Sequence, residues 1–360
     1  VNRRGFLALV GALALGAAAC SSGGTALPRV AADTTQPSTT TTAPAAVAPL
    51  TGLSLFNAEV GTRPAVMVKV GDDPKARPQS GLDKADVVYE ERVEGNVVRF
   101  LAVFQSQDAK LVGPIRSVRS TDVGVITAIG GVFAFSGGIP PFEAMVRKPG
   151  VTVVTEDTYA SSFTLRSDRQ RPYKTYANTA TLRALAPAAS GPPPPLFHFL
   201  APSEALAAGG ATPASQFTVT FGSGTVVRWD WDAAAVKWKR SINGYAHKTD
   251  SGTQLAVTNV ILQTVPYRGT PYIDQSRTPV DEAVTVGSGE AVLFTAGQRI
   301  PLRWSKANDK ALTMFTDLAG HSLRLPAGQT WVSLVPTGTG VTVVNPSAVT
   351  PTTAGRLAGQ

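Results

Sequence analysis

The residues best placed to do chemistry stand around one dipeptide. Gly95-Asn96 is a two-residue turn of the kind that joins antiparallel strands, and Glu90, Glu91, Arg92, Glu94 and Arg99 flank it. With that dipeptide as the turn, Glu94 faces Val97, Arg92 faces Arg99 and Glu90 faces Leu101. Strand alternation then sorts the side chains onto two faces. One carries Val87, Tyr89, Glu91, Val93, Val98, Phe100, Ala102 and Phe104, apolar except for Glu91. The other gathers Glu90, Arg92, Glu94 and Arg99 among Val88, Val97, Leu101 and Val103. The first face is expected to pack on a core and the second to line a groove.

Each charge on this hairpin asks for an answer. Arg92 opposite Arg99 is a like-charge pair, which destabilises unless carboxylates or a bound anion meet it. Glu90 and Glu94, on one face, fit paired carboxylates of glycosidase type, and equally a solvated charged face. Glu91, on the apolar face, must find a cation or keep its proton, because an isolated buried charge is costly. Arg116 and Arg119, in Gly113-Pro-Ile-Arg-Ser-Val-Arg-Ser120, are its expected partners. Two readings stand for Glu91: a structural ion pair joining strand to helix, or a general acid or ligand anchor. Arginines near a helix start oppose the dipole, so Arg116 and Arg119 also call for an acid or an anionic ligand. Ser136-Gly137-Gly138, after a strand, offers backbone N–H groups to a ligand, although such turns are common.

Other chemistries find no support. There is no Gly-x-Ser-x-Gly elbow, Walker-type loop, His-Glu-x-x-His or strand-following Gly-x-Gly-x-x-Gly. Cys20 is the single cysteine, which excludes an intrachain disulfide and any cysteine-built zinc or iron–sulfur site. Three scattered histidines argue against a histidine-built metal site, so no metal and no cofactor is expected. His247, expected near Asn259 across a hairpin, is a polar site or a satisfied structural histidine. All five tryptophans fall in the second half, and Trp229 and Trp231 share a strand face. They form a stacking platform or, as large apolar residues usually do, a core. The net charge of +8 is dispersed with no basic run. An anionic membrane or wall surface therefore suits the chain better than nucleic acid.

The elements that position these residues read as follows. Strands are expected at 65–70, 86–93, 97–104, 131–136 and 151–155, with helices at 118–129, 142–148 and 179–185. Ala-Ser-Gly-Pro-Pro-Pro-Pro at 189–195 marks a linker, followed by a short helix at 202–208. From 217 the pattern turns to short β runs: 217–221, 226–231, 236–240, 254–265, 291–295, 312–315, 331–336 and 341–344. The fold class is α+β: an N-terminal mixed α/β domain over 50–188, a connecting segment over 189–216, and a mostly antiparallel β-rich domain over 217–345. Residues 346–360 trail as a loose tail.

The first twenty residues read as an address. Two arginines, an apolar stretch too short to span a bilayer, and Ala17-Ala18-Ala19-Cys20 make a signal peptide. The small residues before the single cysteine resemble a lipobox, which implies acylation of Cys20, and Arg3-Arg4-Gly5-Phe6-Leu7 resembles a twin-arginine signal. Residues 21–49, rich in Thr, Pro and Ala, read as a disordered tether, with a reach of about 80–90 Å if extended.

One resemblance orders these observations. Arg63-Pro-Ala-Val-Met-Val68, Ala76-Arg-Pro-Gln-Ser-Gly-Leu82, Ala85-Asp-Val-Val-Tyr-Glu90, Val93-Glu-Gly95, Arg99-Phe-Leu-Ala-Val-Phe104 and Gly113-Pro-Ile-Arg-Ser-Val-Arg119 are similar to the YerB-like bacterial lipoprotein family. Arg240, Asn243-Gly244, His247, Asn259-Val260, Gly287-Ser-Gly-Glu290 and Gly328-Gln-Thr-Trp331 continue it in the second half. The resemblance implies a two-domain lipoprotein on the extracytoplasmic face of the cell membrane, near peptidoglycan synthesis proteins, and hands over no catalytic residue. Where the family commonly reads Pro-His-Asn-Leu-Tyr, this chain has Pro172-Tyr-Lys-Thr-Tyr176.

The expectation that follows is a lipid-anchored envelope protein that binds or scaffolds, associated with peptidoglycan synthesis or remodelling. Arg77, Gln79, Glu90, Glu91, Glu94, Arg99, Arg116 and Arg119 are its candidate ligand-binding residues, and Cys20 its lipidation site. The rival is an enzyme acting on wall glycan or peptide, with Glu90, Glu91 or Glu94 as acid.

Overall fold

The computed structural model describes residues 46–207, 209–221, 224–274 and 277–346. The expected export signal with Cys20, the expected tether up to residue 45 and the expected tail from residue 347 lie outside the described residues. Folding begins slightly earlier than the sequence suggested. Ala48 donates to the Leu53 carbonyl, and Ala48 and Leu50 are buried. Among the described residues no helix is long and apolar enough to cross a membrane.

The first half lays down β1 (Val66–Gly71), β2 (Val87–Arg92), β3 (Val98–Phe104), β4 (Gly131–Phe135) and β5 (Val151–Thr155). Between and after them come α1 (Asp122–Ile129), α2 (Pro140–Met145) and α3 (Thr179–Arg183). The second half supplies β6 (Gln216–Phe221), β7 (Thr225–Asp232), β8 (Lys237–Ile242), β9 (Asn259–Val265), β10 (Tyr267–Ile273) and β11 (Pro279–Ala283). It ends with β12 (Gly287–Thr295), β13 (Gln298–Lys306), β14 (Met314–Thr316), β15 (Thr330–Pro336) and β16 (Val341–Val344). Strands dominate both halves, and the helices are few and short.

One sheet crosses both halves, in the order β14-β13-β12-β9-β15-β2-β3-β1-β4-β5. The join is β15 beside β2, parallel, with Trp331 level with Val88 and Ser333 level with Glu90. A second sheet, built on β8-β7-β6-β16, covers one face. Phe217, Trp229 and Trp238 from that sheet pack with Phe100, Phe294 and Trp331 of the large one. The opposite face, with Met67, Leu101 and Val103, lies under α1, α2 and the β10–β11 hairpin. The large sheet is thus buried on both sides, which explains its near-continuous apolar strands. Trp229 is core, as expected, and Trp231 is half-buried against Trp238.

The β2–β3 register differs from the sequence reading by one residue. Val93 donates to the Val97 carbonyl, so the loop is the three residues Glu94-Gly95-Asn96. Gly95 and Asn96 both have positive φ, 69° and 57°, a conformation open to those two residue types. Glu94 leaves the strand to meet arginines, and this lengthens the turn. A slip of one residue moves every side chain of β3 to the other face. Arg99 therefore stands opposite Glu91, Phe100 opposite Glu90, and Arg92 opposite Val98. The like-charge pair that the two-residue turn demanded does not exist, and neither does a single charged face: Glu90 and Glu94 do not line one groove.

Three further differences have local causes. The helix expected from 118 starts at Asp122 instead: Arg116 N–H donates to the Lys69 carbonyl, Val118 N–H donates to the Gly137 carbonyl, and Ser120-Thr121 make a turn. The stretch at 202–207 makes turns, not a helix. Two partners of the second half escaped the sequence reading, the β10–β11 hairpin and β13, whose Pro and Gly residues interrupt the apolar pattern.

Candidate functional site

The expected site residues separate into three clusters. The first is a closed seam between the halves. Glu90 accepts from Trp331 Nε1 at 2.8 Å, from Ser333 Oγ at 2.6 Å and from the Arg240 guanidinium. Arg240 is fully buried and also donates to His247 Nδ1. An arginine cannot accept, so the His247 proton sits on Nε2 and is donated to Gln79 Oε1 at 2.8 Å. Gln79 Nε2 in turn donates to Asp72 Oδ1 at 2.8 Å, and Arg77 Nε donates to the same carboxylate at 2.9 Å. The Arg240 guanidinium lies 5.0 Å from the Trp331 ring centre and 5.4 Å from that of Phe100. Burial, then the charge of Arg240, pushes the His247 imidazole down to about 3, so it stays neutral. Two carboxylates meet two guanidiniums here, with no surplus. Arg77 and Gln79, expected beside the other arginines, belong to this seam. Asn259 is not the partner of His247: its amide donates to the Pro326 carbonyl.

The second cluster is a buried triad. Lys69 Nζ donates to Glu91 and, at 2.7 Å, to Asp122 Oδ1. All three side chains are buried. Burial raises the Glu91 pKa, Lys69 opposes that, and the Asp122 carboxylate adds to the rise. The expected partners of Glu91, Arg116 and Arg119, are not its hydrogen-bond partners. A signal for Lys69 was present: a lone cation inside the apolar run Val66-Met-Val-Lys-Val70 must meet an acid.

The third cluster is open. Glu94, Arg99, Arg116 and Arg119 line a cavity of about 200 Å³. Arg119 holds Glu94 through Nε at 2.7 Å and through a second, shorter bond from its other nitrogen. Arg99 donates to the Ser117 carbonyl at 3.1 Å and reaches Glu94 at 3.3 Å. Arg116 pairs with Asp73 at 2.9 Å and lies 4.9 Å from the centre of the Tyr173 ring. Burial alone would raise Glu94, but the Arg119 hydrogen bonds and the charges of Arg99 and Arg119 hold it at about 2. Burial, then repulsion from Arg119, lowers Arg99 to about 10. Arg99 is only 4% exposed, and its Nε is buried without an acceptor. Along this wall Glu94 answers Arg99 and Arg119, and Asp73 answers Arg116.

The far wall is apolar and comes from elsewhere in the chain. Ile139 and Phe142 stand at the start of α2, Pro172 in a loop, and Val280 on the β10–β11 hairpin. Tyr272 of that hairpin packs edge-on against Phe142, with ring centres 5.3 Å apart. Asp274 stands at the rim, its Oδ1 accepting from the Thr278 N–H. Sequence reasoning missed the hairpin and Asp73. The segment Pro172–Tyr176, which departs from the family pattern, borders this cleft. Gly138 lines the cavity too, while the Gly137 carbonyl accepts from Val118.

Residues 50–191 match the N-terminal domain, and residues 217–332 the C-terminal domain, of a protein family of unknown function, DUF3048. Over 303 residues the chain is 29% identical to "Putative lipoprotein YerB" of Bacillus subtilis (strain 168), covering 80% of this chain and 86% of that protein. It also matches the crystal structure of the YerB protein from Bacillus subtilis, with a TM-score of 0.69 at 26% identity. That match covers 82% of this chain and 99% of the other. The seam joins the two matched segments: Arg77, Gln79 and Glu90 fall in the first, and Arg240, His247 and Trp331 in the second.

Proposed function

This chain belongs to the DUF3048 family, and on that premise we propose that it is an extracytoplasmic lipoprotein whose folded body binds an anionic wall component in the arginine cleft. Its mooring is an acyl chain on Cys20, supported by the lipobox-like sequence and by the name of the Bacillus relative. The observation that carries the binding role is the cleft wall: the guanidiniums of Arg99, Arg116 and Arg119 line an open cavity. Guanidiniums that border an open cavity offer charge-assisted hydrogen bonds to an anion.

The glutamates favour binding over catalysis. Glu90 is committed to Arg240, Trp331 and Ser333, and Glu91 to Lys69 in the buried triad with Asp122. Glu94 reaches the cavity but stays ionised at neutral pH, the wrong state for a general acid.

Two measurements test this reading. Mass spectrometry of the protein from its native membrane should find an acylated Cys20 as the mature N-terminus. Soluble wall fragments should bind the full chain, and Arg99→Ala with Arg116→Ala should weaken that binding at least tenfold. Unchanged binding in the double variant removes the cleft from the function. Recovery of a wall-synthesis protein, with no fragment binding, moves the role from wall ligand to protein partner.

A further inference from the structure

The triad of Lys69, Glu91 and Asp122 lines neither the seam nor the cleft cavity, and the binding role makes no use of it. From its geometry we infer that Lys69 and Asp122 join in an intramolecular isopeptide bond, with Glu91 as the proton carrier.

The fold brings an amine and a carboxyl together away from water. Strand alternation puts Lys69 on the face of β1 that carries Met67, and Glu91 on the face of β2 that carries Val87. Both faces belong to the core that α1 covers with Val123, Ile126 and Ile129. Asp122 is the first residue of α1, and all three side chains of the triad are buried. In water an amine and an acid stay apart as hydrated ions. Burial removes that hydration and favours their neutral, reactive forms.

The contacts assign a role to each carboxylate. Lys69 Nζ donates to Asp122 Oδ1 at 2.7 Å. That hydrogen bond leaves Nζ on the order of 3.5 Å from the carboxyl carbon Cγ, the separation of a near-attack pair. The other oxygen, Oδ2, accepts from the Arg119 backbone N–H at 2.8 Å. A fixed donor there polarises the carboxyl and steadies the oxyanion that attack creates. Glu91 touches the same Nζ and, among the described residues, accepts from Lys69 alone. Burial and the Asp122 carboxylate raise its pKa, which suits a group that takes up a proton and hands it on.

The step balances without a co-reactant. A proton moves from the Lys69 ammonium through Glu91 to the Asp122 carboxylate, leaving an amine and a carboxylic acid. Nζ bonds to Cγ. Glu91 takes a proton from the nitrogen and returns it to the hydroxyl, the Cγ–O bond breaks, and one water leaves. Two buried ions become one neutral amide, which removes the cost of keeping them desolvated, and Glu91 ends as it began. The bond ties β1 to the start of α1, a brace in a chain whose single cysteine allows no intrachain disulfide.

The test is peptide mapping of the full chain, purified in detergent, then unfolded and cut with trypsin. Asp122 falls in the tryptic segment 120–147 and Glu91 in 85–92, so the two acyl partners are told apart. Mass spectrometry should find 120–147 joined through Lys69, one water lighter than the two peptides together, with no cleavage after Lys69. Asp122→Ala and Lys69→Met should each lose the joined peptide. Glu91→Gln, with circular dichroism confirming its fold, should lower the yield at least tenfold. Separate peptides from the parent protein overturn the inference, and they are what an ion pair alone gives. A link from Lys69 to 85–92 overturns it too, since Glu91 is then the acyl partner. Undiminished linkage in folded Glu91→Gln removes the proton carrier. The parent map decides the bond even where a variant does not fold.

Discussion

The seam and the cleft are built from the same residue types and do opposite things with them. In the seam, Glu90 and Asp72 meet Arg240 and Arg77, His247 is neutral, and the inner members are buried. Every charge there has its counterpart, and no cavity adjoins the pairs closely enough to be lined by Glu90 or Arg240 among those described. In the cleft, Glu94 serves two arginines, Asp73 a third, and a void stands beside them. Matched charges in a sealed core hold two halves of a chain in register. Paired charges that border open space can still meet something from outside.

That contrast can be broken, and the largest effect belongs to the seam. Arg240→Met should cost about 3–5 kcal/mol in chemical denaturation, because Glu90 is left buried without its cation. A cost below about 1 kcal/mol would show that the seam does not hold the halves together.

The next effect is a pH dependence. His247 has a folded pKa of about 3, below the unfolded value near 6.5. The unfolded chain therefore binds the proton first, and the stability tied to neutral His247 is full above that unfolded value and lost as pH falls toward 3. Between pH 7 and pH 5 this group should remove about 2 kcal/mol, and His247→Gln should abolish that share of the slope. An unchanged slope in the variant would place the pH sensitivity elsewhere.

Glu94→Gln sharpens the comparison, since losing a carboxylate should weaken one property and strengthen another. Stability should drop by about 1–2 kcal/mol as Arg119 loses its charged partner, while soluble anionic wall fragments should bind several-fold more tightly. Weaker fragment binding would show that Glu94 orients the arginines rather than merely offsetting them.

Arg99→Met should have the smallest thermodynamic effect, within about 1 kcal/mol of the parent in either direction, because it removes a buried cation that the protein only half answers. Against the Arg240→Met result, it separates a guanidinium of the sealed seam from one that borders the cleft. A loss as large as that of Arg240→Met would erase the distinction.

Much of the fold was legible in the chain. Val151–Thr155 and Val341–Val344 form the strands that their apolar runs predict, and the strands at 66–71, 87–92 and 98–104 fall within a residue of expectation. Each is an uninterrupted run of β-formers, which local pattern reveals. The family motifs were equally readable, since they are a matter of residue order. The arginines of the cleft were found because two lie in one heptapeptide and a third beside the turn.

Other features needed the folded chain. The β2–β3 register turned on whether Glu94 stays in the strand, and that is decided by Arg119, 25 positions later in the chain. The partner of Glu91 is Lys69, on a strand two places away across the sheet. Glu90 and Arg240 lie 150 positions apart and meet only because β15 pairs with β2 while the second sheet closes over them. Sequence fixes which charges exist and which runs must be buried, because side-chain type and periodicity are local. Which charge answers which is decided by pairings between distant strands, and so the difference between a sealed lock and an open cleft became visible only in three dimensions.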